Sequence, residues 1–74
     1  MGHKRLGIKI KRLRSERGMT QESLAKRARI SREYVARLEL GQHDPGLSTL
    51  IRLAKALGIS VGNLVDLGKE VMRR

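Results

Sequence analysis

The chain has 74 residues and a formal net charge of +10, a length that allows one small domain and leaves little room for an enclosed active-site cleft. It contains no cysteine, which excludes disulfides and thiolate metal ligands, and its two histidines, His3 and His43, are too far apart to indicate a local metal pair. We therefore expect no metal, no cofactor and no enzymatic activity.

The positive charge is concentrated in the N-terminal half. Residues 1–37 carry twelve basic and three acidic side chains, whereas residues 38–74 carry five basic and four acidic ones. A solvated surface usually mixes both signs, so this asymmetry predicts a polyanionic partner, either nucleic acid or an anionic membrane surface. No apolar run approaches the roughly 20 residues of a membrane span, and a cytoplasmic location is expected.

The first predicted helix follows a basic stretch, residues 1–5, which we interpret as an N-terminal arm. Leu6, Ile10 and Leu13 recur at helical spacing with basic residues between them, and Gly18 is a typical residue at the end of a helix. The domain itself is therefore predicted to begin at Leu6.

The second predicted helix begins after Thr20, a favourable N-cap residue, with Glu22 near the positive end of the helix dipole. Leu24, Ala25 and Ala28 form its narrow inner face. Ala25 is small enough to allow another helix to cross closely.

A third helix starts almost at once, after the N-cap residue Ser31. Glu33 lies in its first turn, Val35 and Leu38 point inward, and Gly41 is expected to end it. Two short helices joined by about three residues must cross at a steep angle, which is the helix-turn-helix arrangement. The exposed N-terminal end of such a second helix can enter the major groove of DNA and reach base edges.

The rest of the chain predicts two more helices after a loop at residues 42–46. Ser48 is expected to open an apolar helix that Gly58 ends, and Ser60 to cap a short last helix. Nothing alternates with the period of a strand, so the fold class is all-α, a compact five-helix bundle. We expect the domain to cover residues 6–67 and a tail or helix extension to cover 68–74.

The stretch "MTQESLAKRARISREYVARLELG" at 19–41, followed by "PGLSTLIRLAKALGIS" at 45–60, resembles the Xre type of protein, the phage repressor and Cro class of helix-turn-helix regulators. The features that carry the resemblance cover most of the chain. They are Gln21, Ala25, Ile30-Ser31, Val35, Leu38-Glu39, Gly41 and the helix with Thr49-Leu50, Leu53-Ala54 and Leu57.

The resemblance implies sequence-specific binding of double-stranded DNA by a transcriptional regulator, and we expect a repressor. The base-reading positions of the family correspond here to Ser31, Arg32, Glu33 and Arg37. Tyr34 corresponds to a position that contacts the DNA backbone or a thymine methyl group. Phosphate contacts are implied for Thr20, Gln21, Arg14, Gln42 and His43.

The resemblance also implies an ion pair between Arg14 and Glu39 that ties the first helix to the third. Three departures from the family pattern stand out. Arg29 replaces a common turn glycine, which predicts a left-handed conformation at an L-residue. Leu40 replaces a polar residue before Gly41. In the loop, Gly46 follows Pro45 where some phage repressors have an arginine, and Asp44 is acidic.

One such helix presents too few side chains to select a genomic site alone, so we expect a homodimer on an inverted-repeat operator. The predicted dimer interface consists of Val61, Leu64, Val65 and Leu67, with Val71 and Met72 behind them and a contribution from Pro45 and Leu47. The alternative is that these apolar residues only close the small core.

Three other functions are alternatives to this one. Residues 9–14 form a basic amphipathic segment that could bind an anionic membrane, but interfacial anchors usually carry Trp or Phe and the chain has neither. Single-strand RNA readers need several aromatic platforms, and the chain has one tyrosine. An antitoxin or other protein-interaction module of the same fold, which docks a partner protein, stays open.

Overall fold

The structure, a computed structural model, describes residues 2–66, which form five α-helices. They are α1 Gly2–Glu16, α2 Gln21–Ala28, α3 Arg32–Glu39, α4 Leu47–Leu57 and α5 Val61–Val65. No strand occurs in this range, so the predicted all-α five-helix fold is confirmed. None of these helices is long and apolar enough to cross a membrane.

Side-chain caps start α2, α3 and α5. The hydroxyl oxygens of Thr20, Ser31 and Ser60 each accept a hydrogen bond from the backbone N–H three residues later. At α2 the hydroxyl of Ser23 also accepts a hydrogen bond from the N–H of Thr20, which completes a capping box. The predictions of these three residues as N-caps are therefore confirmed.

The core is aliphatic and is built from all five helices. α2 packs against α3 and α4, α1 against α3 and α5, and α4 against α5. Within residues 2–66, twelve buried apolar side chains form one cluster: Leu6, Ile10, Leu13, Leu24, Ala25, Ala28, Val35, Leu38, Leu53, Ala54, Leu57 and Leu64. The helix-turn-helix pair therefore lies on a single scaffold made by α1, α4 and α5.

Two predicted boundaries are corrected by the structure. α1 begins at Gly2, so residues 2–5 are helical and continuous with the domain instead of forming a separate arm. α4 begins at Leu47 with Gly46 as its N-cap, and no side chain caps it, so Ser48 is not the start of that helix. The predicted tail, 68–74, lies outside the described residues.

The prediction that Leu64 lies in a dimer interface is wrong, because this side chain is fully buried in the core of the single chain. α5 has only five residues and needs its one inward side chain to close the bundle. Val61 is half-buried against the same core, and Val65 is 43% exposed. Leu67, Val71 and Met72 lie outside the described residues.

Lys9 has a structural role that the sequence did not reveal. Its side chain is buried, and its ammonium group donates hydrogen bonds to the carbonyl oxygens of Asn63 and Asp66, the latter at 3.0 Å. A positive charge is favourable at the C-terminal end of a helix, where carbonyl groups lack intrahelical partners. Lys9 therefore fastens α1 to the end of α5 and is not part of a free basic surface.

Candidate nucleic-acid interface

The turn between α2 and α3 holds Arg29 in the left-handed conformation, with φ 59° and ψ 45°. The N–H of Ile30 donates to the carbonyl of Ala25 at 3.0 Å, and the N–H of Arg29 donates to that of Lys26 at 3.3 Å. These two bonds form a Schellman motif, which normally has glycine at the left-handed position. An L-residue there costs about 1–3 kcal/mol, as the sequence led us to expect.

α3 projects polar side chains from the scaffold along its whole length, from its first turn to its last. Arg32, Glu33 and Arg37 are exposed, whereas Val35 and Leu38 of the same helix are buried. Arg32 and Glu33 lie 3.9 Å apart with most of both side chains in solvent, a weak contact that bound DNA would readily replace. The guanidinium of Arg37 has no hydrogen bond or ion pair within residues 2–66.

Ser31 serves first as a cap. Its hydroxyl oxygen accepts the backbone N–H of Tyr34 at 3.0 Å, which leaves the hydroxyl hydrogen available to donate to another group. The ring of Tyr34 is stacked on that of His43, with ring centroids 4.5 Å apart and planes within 10°. The predicted tyrosine contact and the predicted loop contact are therefore parts of one surface, which nothing in their sequence spacing indicated.

Arg14 and Glu39 form the expected ion pair at the base of α3. Arg14 Nε donates to Glu39 Oε2 at 2.6 Å and Nη2 donates to Oε1 at 3.1 Å, with 13% and 4% of the two side chains exposed. Nη1 donates to the carbonyl of Met19 at 2.8 Å. All three nitrogens of Arg14 are thus engaged inside the protein, which makes the residue chiefly structural.

Gln21 belongs to the same network. Its Nε2 donates to Glu39 Oε1 at 3.0 Å. Glu39 therefore accepts hydrogen bonds both from Gln21, the first residue of α2, and from Arg14 of α1. The side-chain amide of Gln21 keeps a second N–H, and the first N–H groups of α2 have no intrahelical acceptor. The start of α2, with Thr20 as its cap, is thereby held in a fixed position beside the end of α3.

Two glycines allow α1 to lie directly against the end of α3. A Cβ atom on Gly7 would fall 2.2 Å from the carbonyl oxygen of Leu38 and 2.9 Å from the backbone of Glu39. A Cβ on Gly41, which has a φ of 77°, would fall 2.9 Å from the Cα of Lys4. Gly7 was not predicted to have a role, although a glycine inside a helical pattern often signals a close backbone approach.

The loop after α3 contains Gln42, a predicted phosphate contact, and the acidic residue Asp44. Gln42 is exposed and its backbone N–H donates to the carbonyl of Arg37 at 2.9 Å. Asp44 lies 3.2 Å from Nε2 of His3, so the acidic group faces the start of α1. Among residues 2–66 no group of three or more His, Cys, Asp or Glu side chains could hold a metal ion.

Comparisons with known proteins agree with this geometry. A family model described as helix-turn-helix matches residues 10–64. The immunity repressor protein of Bacillus phage phi105 is 45% identical over 67 residues, which is 90% of this chain and 45% of the repressor. The chain therefore spans less than half the length of that relative.

Two further matches cover most of the other protein. The uncharacterized HTH-type transcriptional regulator y4dJ of Sinorhizobium fredii is 44% identical over 62 residues, 84% of this chain and 80% of that protein. The restriction-modification controller protein C.AhdI from Aeromonas hydrophila has a TM-score of 0.80 and 34% identity, over 82% of this chain and 92% of that one. The chain belongs to the Xre, or Cro/C1-type, family of helix-turn-helix DNA-binding transcriptional regulators.

Proposed function

We propose that this protein is a repressor that binds a specific double-stranded DNA operator by inserting α3 into the major groove. The observation that carries the proposal is the contrast within α3. Glu39, at its C-terminal end, is fixed to Arg14 and Gln21, whereas Arg32, Glu33 and Arg37 project into solvent. A helix that is held rigidly at its C-terminal end and exposes polar side chains along its length suits recognition of base edges.

The proposed contacts divide by type. Arg32 and Arg37 are suited to bidentate bonds with guanine, and Glu33 to accepting a bond from the amino group of cytosine. Ser31 keeps a hydroxyl hydrogen for a base. Tyr34, stacked on His43, is proposed to contact the backbone or a thymine methyl group.

The proposed phosphate contacts lie on both sides of α3. Thr20, Gln21 and the first N–H groups of α2 form one group, because a helix N-terminus attracts anions. Gln42 and His43, in the loop after α3, form the other. Arg14 can use only those N–H groups that are not already bonded to Glu39 and Met19, so its phosphate contact is secondary to its structural role.

We further propose a homodimer on an inverted repeat. Leu47 and Ile51, four residues apart on α4, are 67% and 43% exposed, and Val65 on the adjoining α5 is 43% exposed. These three side chains, which we call the apolar face, replace the interface first predicted around Leu64. Because operator DNA must be accessible, we propose that the protein acts in the cytoplasm.

Among the other functions weighed above, membrane binding loses support from the structure. Within the basic segment 9–14, Lys9 and Ile10 are buried and Arg14 is paired with Glu39. Too little of the segment is left to form a membrane-binding face. In the alternative function, we propose that a partner protein docks on the apolar face in place of a second copy of this chain. The free protein would then be a monomer instead of a homodimer.

The test is selection of bound sites from random duplex DNA, followed by sedimentation of the protein with the best site. We expect an inverted repeat whose half-sites are about 10–10.5 base pairs apart between centres, bound by two protomers. Recovery of unrelated sequences would refute specific recognition. A selected site without symmetry, bound by one protomer, would refute the dimer alone.

A further inference from the structure

A second basic feature is built by residues outside α3. Arg27 and Arg29, at the end of α2, and Arg52 and Lys55, on α4, line an open cavity of about 240 Å³. We call this feature the basic cleft. None of its four side chains was assigned a contact above.

The charges of the basic cleft are not neutralised by the part of the chain that the structure describes. Arg52 Nε donates to the carbonyl of Ala28 at 2.9 Å and so closes the end of α2. Arg27, Arg29 and Lys55 are exposed and make no side-chain hydrogen bond or ion pair within residues 2–66.

Helix dipoles do not account for this cluster. α2 and α4 both end at the cleft, and each helix C-terminus supplies only about half a negative charge. The two ends together offset about one of the four positive charges. The remaining charges repel one another, and a bound anion would relieve that repulsion.

The backbone of Arg29 is a second observation that points the same way. Arg29 is the only residue other than glycine with a positive φ among residues 2–66. Strained backbone of this kind concentrates at functional sites, because local stability is sacrificed for the position of a side chain. Here the strained residue places a fourth cation at the cleft.

The position of the cleft identifies the anion. Arg29 precedes Arg32, the first residue of α3, by three positions. If the N-terminal end of α3 enters the major groove, the turn before it lies beside the sugar-phosphate backbone that borders the groove. We propose that the basic cleft binds a backbone phosphate of the DNA that flanks the base pairs read by α3. This inference rests on the proposed function.

The test compares two duplexes, one that ends at the selected site and one extended by several base pairs on each side. Lys55→Gln removes one charge from the cleft, and Arg29→Gly removes another while glycine retains the left-handed turn. Arg5→Gln is the matched control, because Arg5 is an exposed cation of α1 that does not line the cleft. Binding is measured by fluorescence anisotropy over a range of salt concentrations.

Each phosphate contact contributes about 0.9 to the slope of log affinity against log salt. We expect Lys55→Gln and Arg29→Gly each to lower that slope on the extended duplex, by at most about this amount per protomer, and to leave it unchanged on the short one. Arg5→Gln should give the parent slope on both duplexes.

Parent slopes for both cleft variants on the extended duplex would overturn the inference while leaving the proposed function intact. Failure of the parent protein to prefer its selected site would instead refute the proposed function. Titration of the free protein with inorganic phosphate is a further experiment. Phosphate-induced NMR shifts at the cleft in the free protein, together with equal DNA slopes for parent and variants, would assign the cleft to free phosphate and contradict the DNA assignment.

Discussion

The carboxylate of Glu39 accepts two hydrogen bonds from Arg14, at 2.6 and 3.1 Å, and this pair joins α1 to the end of α3. Only 4% of the Glu39 side chain is exposed. Breaking a buried ion pair from one side leaves an uncompensated charge, which costs roughly 3–5 kcal/mol. The position of the DNA-reading helix therefore depends on a residue of α1.

We predict that Arg14→Met lowers the free energy of unfolding by roughly 3–5 kcal/mol, which is comparable to the whole stability of a domain this small. The double variant Arg14→Met/Glu39→Met should recover part of the loss, because it removes the stranded carboxylate as well. Urea unfolding followed by circular dichroism measures both. A loss below about 1 kcal/mol for Arg14→Met would show that the pair is not structural.

A second prediction concerns Gly7, which allows the close approach of α1 to α3. Gly7→Ala places a methyl group within 2.2 Å of the carbonyl oxygen of Leu38, so the helices must separate. We expect a loss of about 1–3 kcal/mol or more and weaker DNA binding. The control is Gly62→Ala in α5, where the nearest atom is the Ser60 hydroxyl oxygen at 3.9 Å.

Because alanine favours helix over glycine by about 1 kcal/mol, Gly62→Ala should be neutral or stabilising. Thermal unfolding distinguishes the two variants. If both substitutions raised the melting temperature, the close contact at Gly7 would not exist in solution.

The third prediction is a strong dependence of DNA binding on salt. If six to ten phosphates are neutralised per complex, affinity should fall about 10³–10⁵-fold between 50 and 200 mM salt. Fluorescence anisotropy with the selected operator measures this directly. An affinity that hardly changes over the same range would contradict an interface built on the basic half of the chain.

The fourth prediction tests the apolar face. Ile51→Glu should convert the dimer to a monomer in sedimentation and abolish the advantage of a two-half-site operator over a single half-site. Ile8→Glu is the matched control, since Ile8 is 60% exposed on α1 and belongs to no proposed interface. An unchanged dimer after Ile51→Glu would place the interface elsewhere.

The fold could be predicted from the sequence largely because three of its helices begin at a recognisable N-cap residue. Thr20, Ser31 and Ser60 cap through local hydrogen bonds that depend only on residue type and spacing. α4 departs from this rule, because its N-cap is Gly46 and no side chain marks its start. The nearest good capping residue, Ser48, lies two positions after Gly46, so the sequence pattern predicts a start for α4 that is too late.

The candidate site was harder to predict, because its details are contacts between distant residues. Helical spacing showed that Leu64 points to an apolar partner, and it cannot distinguish the protein's own core from another protomer. Lys9 was read as part of a basic surface, whereas its partners lie more than fifty positions away on α5. The stacking of Tyr34 on His43 likewise depends on how the loop folds back onto α3.

The reading of base edges by α3 is tested most directly by repeating the site selection with Arg32→Ala and with Gln21→Ala. Loss of a bidentate guanine contact costs roughly 1–3 kcal/mol, so Arg32→Ala should lose its preference at one position of each half-site and keep the others. Gln21→Ala should bind all duplexes more weakly and select the parent sequence. If Arg32→Ala instead selected the parent sequence with uniformly lower affinity, α3 would not be the helix that reads the bases.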